Sequence, residues 1–334
     1  MDSLTQLALG AAVGETILGR KVGNRAILWG AVCGTIPDLD VFIPLGDAVA
    51  DFTYHRSASH SVLVLALLTP VIVWLILKFH PHTQEHRRRW LLLVYLVFIT
   101  HVLLDCFTVY GTQIFWPIVT TPVGWSTIFI IDPLYTLWLI IGVIFALVAT
   151  RRNNRGHIVN NLGIGISSLY LAWTVTAKFY VNEVAHKSLA LQNIDYSQLI
   201  TIPTPFNTLL WRVVAMDDNG YYEGYYSLLD DKPVIATNFY PSQTHLLEGL
   251  ENHWPVQRLQ WFTRGFYGVQ LRANDIVIQD LRMGLEPDYV FQFKVGELSN
   301  PHPIGRNSQR IESQQRMDRL TNVWQRIWNH KQEL

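Results

Sequence analysis

Residues 90–107 read WLLLVYLVFITHVLLDCF, a run in which only His101 and Asp105 can carry charge near neutral pH. As a helix rising ~1.5 Å per residue, the run covers ~27 Å, close to the ~30 Å hydrocarbon thickness of a bilayer. A membrane span is the first reading. Its two polar residues are the first functional candidates, because ionisable groups are expensive at membrane depth and are by default functional there.

Working outward, three further runs approach spanning length. They are Ser61–Phe79 (SVLVLALLTPVIVWLILKF), interrupted only by Pro70, then Ile128–Thr150 and Ile158–Val181. A membrane helix tolerates the proline. Two shorter segments rich in Gly and Ala, Leu4–Leu18 and Ala26–Pro37, precede them and suit close helix packing. The start lacks the basic n-region and polar cleavage region of a signal peptide. The pattern predicts an α-helical polytopic membrane bundle of about five to six membrane helices.

Charge divides the chain. Overall it holds 26 Lys+Arg and 26 Asp+Glu, with 16% charged and 49% apolar residues, against about 25% charged in average chains. Zero net charge gives no electrostatic case for nucleic acid as a partner. The 2 Cys, Cys33 and Cys106, lie in apolar runs and cannot form a disulfide framework. Residues 1–181 contain 12 Lys/Arg and 9 Asp/Glu, whereas 182–334 contain 14 and 17. A membrane-embedded domain over 1–181 is therefore followed by a soluble α+β domain over 182–334.

In that second domain, Phe206–Met216, Tyr221–Leu229, Val234–Tyr240, Phe266–Leu271, Ile276–Asp280 and Tyr289–Val295 read as strands. Ser242–Glu251 reads as a helix. Ser308–Trp328 reads as a C-terminal amphipathic helix, with Ile311, Leu320, Trp324, Ile327 and Trp328 near a 3.6 period.

Orientation follows from the bases. Ten of the 12 in the first half cluster as Arg20, Lys21, Arg25; Lys78, Arg87, Arg88, Arg89; and Arg151, Arg152, Arg155. The positive-inside rule assigns these loops to the cytoplasm. The acids Asp2, Asp38, Asp40, Asp47, Asp51, Asp105 and Asp132, and the domain after Val181, then fall on the extracytoplasmic side.

Four segments carry the polar residues that such a membrane half does not hold cheaply. They are Pro37-Asp38-Leu39-Asp40, HRSASHS at 55–61, His101 with Asp105, and Asp132 in IIDPLY. His101 and Asp105 share a helix face at i, i+4. Each motif alone has an ordinary explanation: a structural His–Asp pair, a D-x-D turn, a capped helix start. Together, three His and four Asp at one depth, with no Lys among them, would repel unless cations or protons neutralise them.

Asp38, Asp40, His55, His60, His101 and Asp105 offer oxygen and nitrogen donors and no thiolate, which suits zinc or a comparable divalent metal, one or two ions. Asp132 is the candidate general base or an outer partner, and Arg56 the candidate clamp for a substrate anion. A proton- or ion-relay chain and a purely structural metal site are the competing readings. His80, His82, His86 and His157 sit beside basic loops and read as solvated. No Gly-x-Ser-x-Gly occurs, so side-chain nucleophilic catalysis is disfavoured.

The blocks MDSLTQLALGAAVGETILGRK, GTIPDLDVFIP, DFTYHRSASHS, HVLLDCFTVYGTQIFWP and IIDPLYT resemble the YdjM-like, LexA-regulated inner-membrane metal-dependent hydrolases of bacteria. The resemblance covers roughly residues 1–180. The later PTPFNTLLWRVVA and GYYEGYYSLLD blocks are similar to long family members with an outer domain.

The resemblance implies a bacterial inner-membrane hydrolase with a divalent-metal site at the six residues named, and distant kinship with zinc-dependent phospholipase C and P1-type nucleases. It departs at Gln6, where many shorter members have His. The expected substrate is a membrane lipid or lipid-linked phosphoester. Nothing in the sequence names a protein partner for the outer domain.

Overall fold

The computed structural model describes residues 1–313 and 317–329. Its principal helices are α1 (Ser3–Gly14), α2 (Asn24–Thr35), α3 (Ala48–Tyr54), α4 (Val62–Phe79), α5 (Arg87–Phe107), α6 (Pro133–Asn153), α7 (Arg155–Leu191), α8 (Trp254–Phe262) and α9 (Met317–Trp328). Strands β1 to β10 run over Gln198–Pro203, Leu210–Asp217, Gly220–Ser227, Thr237–Pro241, Tyr267–Arg272, Asp275–Asp280, Gly284–Leu285, Asp288–Tyr289, Gln292–Glu297 and Ile304–Ile311. The chain divides into two compact units, Met1–Phe42 with His55–Val175, and Ile43–Tyr54 with Thr176–Leu334.

The first unit is helical. Among the described residues, three stretches are long and apolar enough to cross a membrane: Val62–Phe79, Pro81–Phe107 and Arg155–Leu191. The apolar part of α6, Pro133–Ala149, is shorter. With 12 residues each, α1 and α2 reach only ~18 Å. Helix α6 begins five residues later than the hydropathy of Ile128–Thr150 suggests, because Asp132 caps it, accepting from the backbone N–H of Leu134 and Tyr135, and Pro133 occupies its first turn. Helix α2 stops at Thr35, and Pro37–Phe42 forms a 3-10 turn instead of extending it. Beyond Gly14, the first helix loosens into a π-type turn over Glu15–Gly19.

Glycines bring α1 and α2 together. Gly10 and Gly14 on α1 face Gly30 and Gly34 on α2, and a Cβ on any of the four would collide with backbone of the opposite helix. This is the small-residue contact by which membrane helices approach closely. Around it, Leu65, Val73, Ile76, Trp90, Leu93, Val97 and Phe98 form the buried core. The Trp90 indole N–H donates to Thr83 Oγ1 at 3.1 Å.

The second unit is rich in sheet. One antiparallel sheet has the order β1-β2-β3-β4, the other β10-β9-β6-β5, and β7 pairs with β8. The hairpin β2–β3 turns through Asp217–Gly220, where the Asp217 carboxylate accepts from Asn219 N–H. Ala177, Val181, Val184 and Ala185 of α7 pack on Trp211, Val213, Tyr226 and Ile235.

Several elements depart from the sequence expectation. Ser242–Glu251 contains only a short 3-10 turn, Thr244–Leu247, while the helix lies later at α8. Strand β1, not among the strands read from sequence, pairs antiparallel with β2. The expected helix Ser308–Trp328 is split: Ser308–Ile311 end strand β10, residues 314–316 lie outside the described residues, and α9 begins at Met317. Pairing with β9 claims the first part, although its pattern is helical.

The segment Ile43–Tyr54 also joins the second unit, although its place in the sequence is inside the apolar half. Phe52 stacks among Phe262, Phe291 and Phe293, with ring centroids 4.4–5.1 Å away. Asp47 receives Ser308 Oγ at 2.6 Å, and Arg258 donates to Thr53 Oγ1 at 2.9 Å. Such aromatic contacts are worth about 0.5–1.5 kcal/mol each beyond burial.

Beneath the sheets, Arg212 is fully buried. Its Nη2 meets Glu223 Oε2 at 2.5 Å, its Nη1 donates to the Leu281 carbonyl at 2.6 Å, and Tyr225 and Tyr289 donate to Glu223. Burial alone would raise the Glu223 carboxyl, but Arg212 outweighs it and holds it below its ordinary 4.5. Two expectations follow. Replacing Gly30 with Ala overpacks the α1–α2 contact and lowers stability by about 1–3 kcal/mol, read as a lower melting temperature of the detergent-solubilised protein. Glu223→Gln strands a buried guanidinium and costs about 3–5 kcal/mol. Because the folded carboxyl titrates low, the pair's contribution is complete above pH 4.5 and lost as pH falls below it, a loss that unfolding followed from neutral pH downward should show in the wild type and not in the variant.

Candidate metal centre

Helix α5 sets the site. Its regular turn puts His101 and Asp105 on one face, both buried. The 3-10 turn Pro37–Phe42 contributes Asp38, and a second 3-10 turn, Ala58–His60, contributes His60. One ligand atom from each of Asp38, His60, His101 and Asp105 falls within 4.8 Å of the other three.

The individual separations are informative. His60 Nε2 lies 3.1 Å from Asp105 Oδ2, 3.3 Å from Asp38 Oδ1 and 3.2 Å from His101 Nε2. His101 Nε2 lies 3.6 Å from both Asp38 Oδ1 and Asp105 Oδ2. A tetrahedral ion with bonds of ~2.0–2.2 Å has ligand–ligand edges of ~3.3–3.6 Å. The five separations, 3.1–3.6 Å, are compatible with the coordination shell of one ion.

The far side of each imidazole fixes which nitrogen is bare. His101 Nδ1 donates to the Gly34 carbonyl at 2.8 Å, so its Nε2 turns a lone pair inward. Ser59 Oγ donates its one proton to Asp40 Oδ2 at 2.5 Å and must then accept from His60 Nδ1, 2.9 Å away. His60 Nε2 is bare for the same reason. Two such nitrogens 3.2 Å apart, facing carboxylate oxygens, repel unless a cation or a proton lies between them. Asp105 Oδ2 is buried and makes no well-formed hydrogen bond among the described residues. These donors fit a divalent ion, each histidine being oriented by an outer partner in the manner of metal-ligating imidazoles.

The other sequence candidates take different places. Asp40 and His55 are not in the ligand group: His55 Nδ1 pairs with Asp40 Oδ1 at 2.8 Å, and Asp40 also receives the backbone N–H of Arg56 at 3.1 Å. Burial pushes the Asp40 carboxyl up, yet hydrogen bonds from His55 and Ser59 prevail and hold it below its usual range. Arg56 is not presented to solvent. It is buried with Nε 3.3 Å from Asp105 Oδ2, Nη1 donating to Thr108 Oγ1 at 3.2 Å, and its guanidinium over the Tyr110 ring. Its backbone sits at φ 63°, a conformation costing a non-glycine residue about 1–2 kcal/mol.

Asp132 lies apart from the cluster, its oxygens taken by the α6 cap and by the Tyr170 hydroxyl at 2.9 Å.

Three contributors were not assigned from sequence: the Gly34 carbonyl, the Ser59 hydroxyl as a link between Asp40 and His60, and Gln6. Gln6 is buried, and its Nε2 donates to Asp105 Oδ1 at 3.0 Å and to the His101 carbonyl at 3.2 Å. The amino group of Met1 also contacts Asp105 Oδ1. Only Gln6 carried a sequence signal, its departure from the His of shorter relatives.

The profile of the YdjM inner membrane protein family matches residues 1–181. The chain belongs to the YdjM inner membrane protein family. Its D-x-D, H-R-x-x-S-H-S and H-x-x-x-D blocks are thus the parts of a family domain that converge on this site. The chain is also similar to the uncharacterized protein YfhP of Bacillus subtilis (strain 168), 28% identical over 141 residues. That match covers 40% of this chain and 42% of YfhP, well under two thirds of its length. No solved structure matches.

Two substitutions probe the centre through bound metal alone. His101→Ala should abolish stoichiometric metal in the purified protein, measured by elemental analysis. Ser59→Ala, which leaves all four ligands in place but frees His60, should weaken metal affinity by about 10–100-fold.

Proposed function

We propose that this family member is a metal-dependent hydrolase of the bacterial inner membrane, acting on a phosphoester of a lipid or envelope intermediate. The observation that carries the reading is the pair of bare Nε2 atoms and two carboxylate oxygens at tetrahedral spacing, beside a partly exposed His55–Asp40 pair. Asp38, His60, His101 and Asp105 hold the ion, and two nitrogen with two oxygen donors suit zinc. A divalent ion there supplies Lewis acidity and lowers the pKa of water from 15.7 toward about 7.

The chain's own residues do the rest. Asp40 accepts from His55 Nδ1, which leaves His55 Nε2 as the acceptor that takes a proton from the attacking water and returns it to the leaving oxygen. Arg56 serves by holding Asp105 in place, and so modifies the role its charge suggested. The positive-inside rule, applied to the clusters Arg20–Arg25, Lys78–Arg89 and Arg151–Arg155, supports a cytoplasmic side for those loops and an extracytoplasmic side for the centre and for the domain after Val181. In this topology the short α1 and α2 count with α4 to α7 toward about five to six membrane helices.

The test is turnover of phospholipid and nitrophenyl phosphate esters by purified protein. Activity should disappear with a chelator and return with zinc. His55→Ala should retain its metal and lose about 10²–10⁴-fold in kcat. Full metal content with no phosphoester turnover would overturn the hydrolase and leave the same cluster as a structural or ion-relay site.

A further inference from the structure

The loops around the centre have an apolar exterior. On the turn Pro37–Phe42, Asp38 and Asp40 are half-buried while Leu39, Val41 and Phe42 are exposed, Phe42 to 78%. The connection from α5 to α6 is apolar as well. Between Asp105 and Asp132 the sequence contains no Asp, Glu, Lys, Arg or His. Its backbone is nevertheless ordered without being helical: Thr112 and Val123 exchange both hydrogen bonds at 2.9 Å, and Ile118 N–H donates to the Phe115 carbonyl at 2.9 Å. The tip projects Phe115, Ile118 and Val119, with Ile118 78% exposed.

Both loops hang on the same motif. Asp40 binds the backbone of Arg56 and the Ser59 hydroxyl, while Gln113 N–H donates to the Arg56 carbonyl and Ser61 Oγ to the Trp116 carbonyl. The two apolar tips are therefore carried by the stretch that supplies His55 and His60.

Exposed apolar surface on two loops carried by one motif needs an occupant. Here the α5–α6 connection continues directly from the end of a membrane-length helix, α5, and α4, another such helix, begins at Val62, whose N–H donates to the Ile114 carbonyl of that connection. The outward side of α4, with Leu67, Val71 and Trp74 exposed, has the same apolar character. The absence of charge over the whole α5–α6 connection is what a hydrocarbon boundary requires and what an aqueous loop does not.

We propose that the Pro37–Phe42 turn and the Phe115–Val119 tip form a lip embedded in the acyl region of the bilayer. Asp38 is the one ligand with a partly exposed side chain, at 19%, and Leu39, Val41 and Phe42 border it. Access to the centre therefore runs past lipid-facing residues. Resting on the hydrolase reading, this makes the substrate a lipid whose headgroup enters sideways from the leaflet, in preference to a water-soluble ester.

Nitroxide labels on the full-length protein test the lip. Both native thiols are buried, so labelling is confined to Phe42→Cys and Ile118→Cys, with Leu67→Cys as the lipid reference and Asp218→Cys as the aqueous one. In vesicles of phosphatidylethanolamine and phosphatidylglycerol, molecular oxygen should relax the labels at 42 and 118 several-fold more than a nickel chelate does, as at 67. Relaxation by the chelate equal to that at 218 would overturn the lip. If either variant fails to insert, Val41→Cys and Val119→Cys replace the pair. Depth is read without turnover, so a protein with an embedded lip and no hydrolysis loses the hydrolase alone, whereas turnover with an aqueous lip loses only the lip.

Discussion

Asp105 is a carboxylate with no exposed surface, placed one turn after His101 in the part of α5, from Trp90 onward, that holds no other ionised group near neutral pH. An isolated charge there would cost many kcal/mol, so the surrounding structure is arranged to answer it. Arg56 and Gln6 converge on its oxygens, the Met1 amino group is in contact with one of them, and the Nε2 atoms of His60 and His101 face the other. Arg56 accepts an unfavourable backbone conformation to reach it. A divalent ion held by the cluster would complete the compensation at Asp105 Oδ2, which has no well-formed hydrogen bond among the described residues.

That convergence depends on helix packing several residues away. His101 donates to the Gly34 carbonyl of α2 and Gln6 of α1 to the Asp105 carboxylate, at the two helices that approach each other through facing glycines. The stripe of small residues and the polar centre are thus parts of one design: one sets backbone separation, the other uses the carbonyl and amide it exposes. The HRSASHS stretch does the complementary work, carrying His60 inward, Arg56 beneath and His55 toward the partly exposed edge.

Much of this was legible in the residues. The i, i+4 spacing of His101 and Asp105 needs only a helix to place both on one face, and the hydropathy of residues 90–107 makes that helix nearly obligatory. The concentration of acids and histidines in four segments pointed to a shared depth. The division of labour within the cluster was not legible. Asp38 and Asp40 are chemically identical and two residues apart, yet one faces the histidine nitrogens and the other holds Ser59 and His55. That choice is made by the path of a 3-10 turn, on which sequence periodicity is silent. Asp132, equally acidic and equally placed by hydropathy, is consumed by capping α6, because Pro133 starts the helix immediately after it.

The sequence by itself determined the membrane-length helices, the change to a sheet-rich second half and the residue types available for a metal, because hydropathy and helical period act locally along the chain. Tertiary structure alone decided which donors meet. It drew Ile43–Tyr54 out of the apolar half and into the second unit through Phe52, turned the start of the expected last helix into strand β10, and set Asp40 and His55 beside the metal ligands instead of among them. These outcomes depend on partners distant in sequence, such as β9 for β10, Phe293 for Phe52 and Gly34 for His101, and no local pattern encodes a partner.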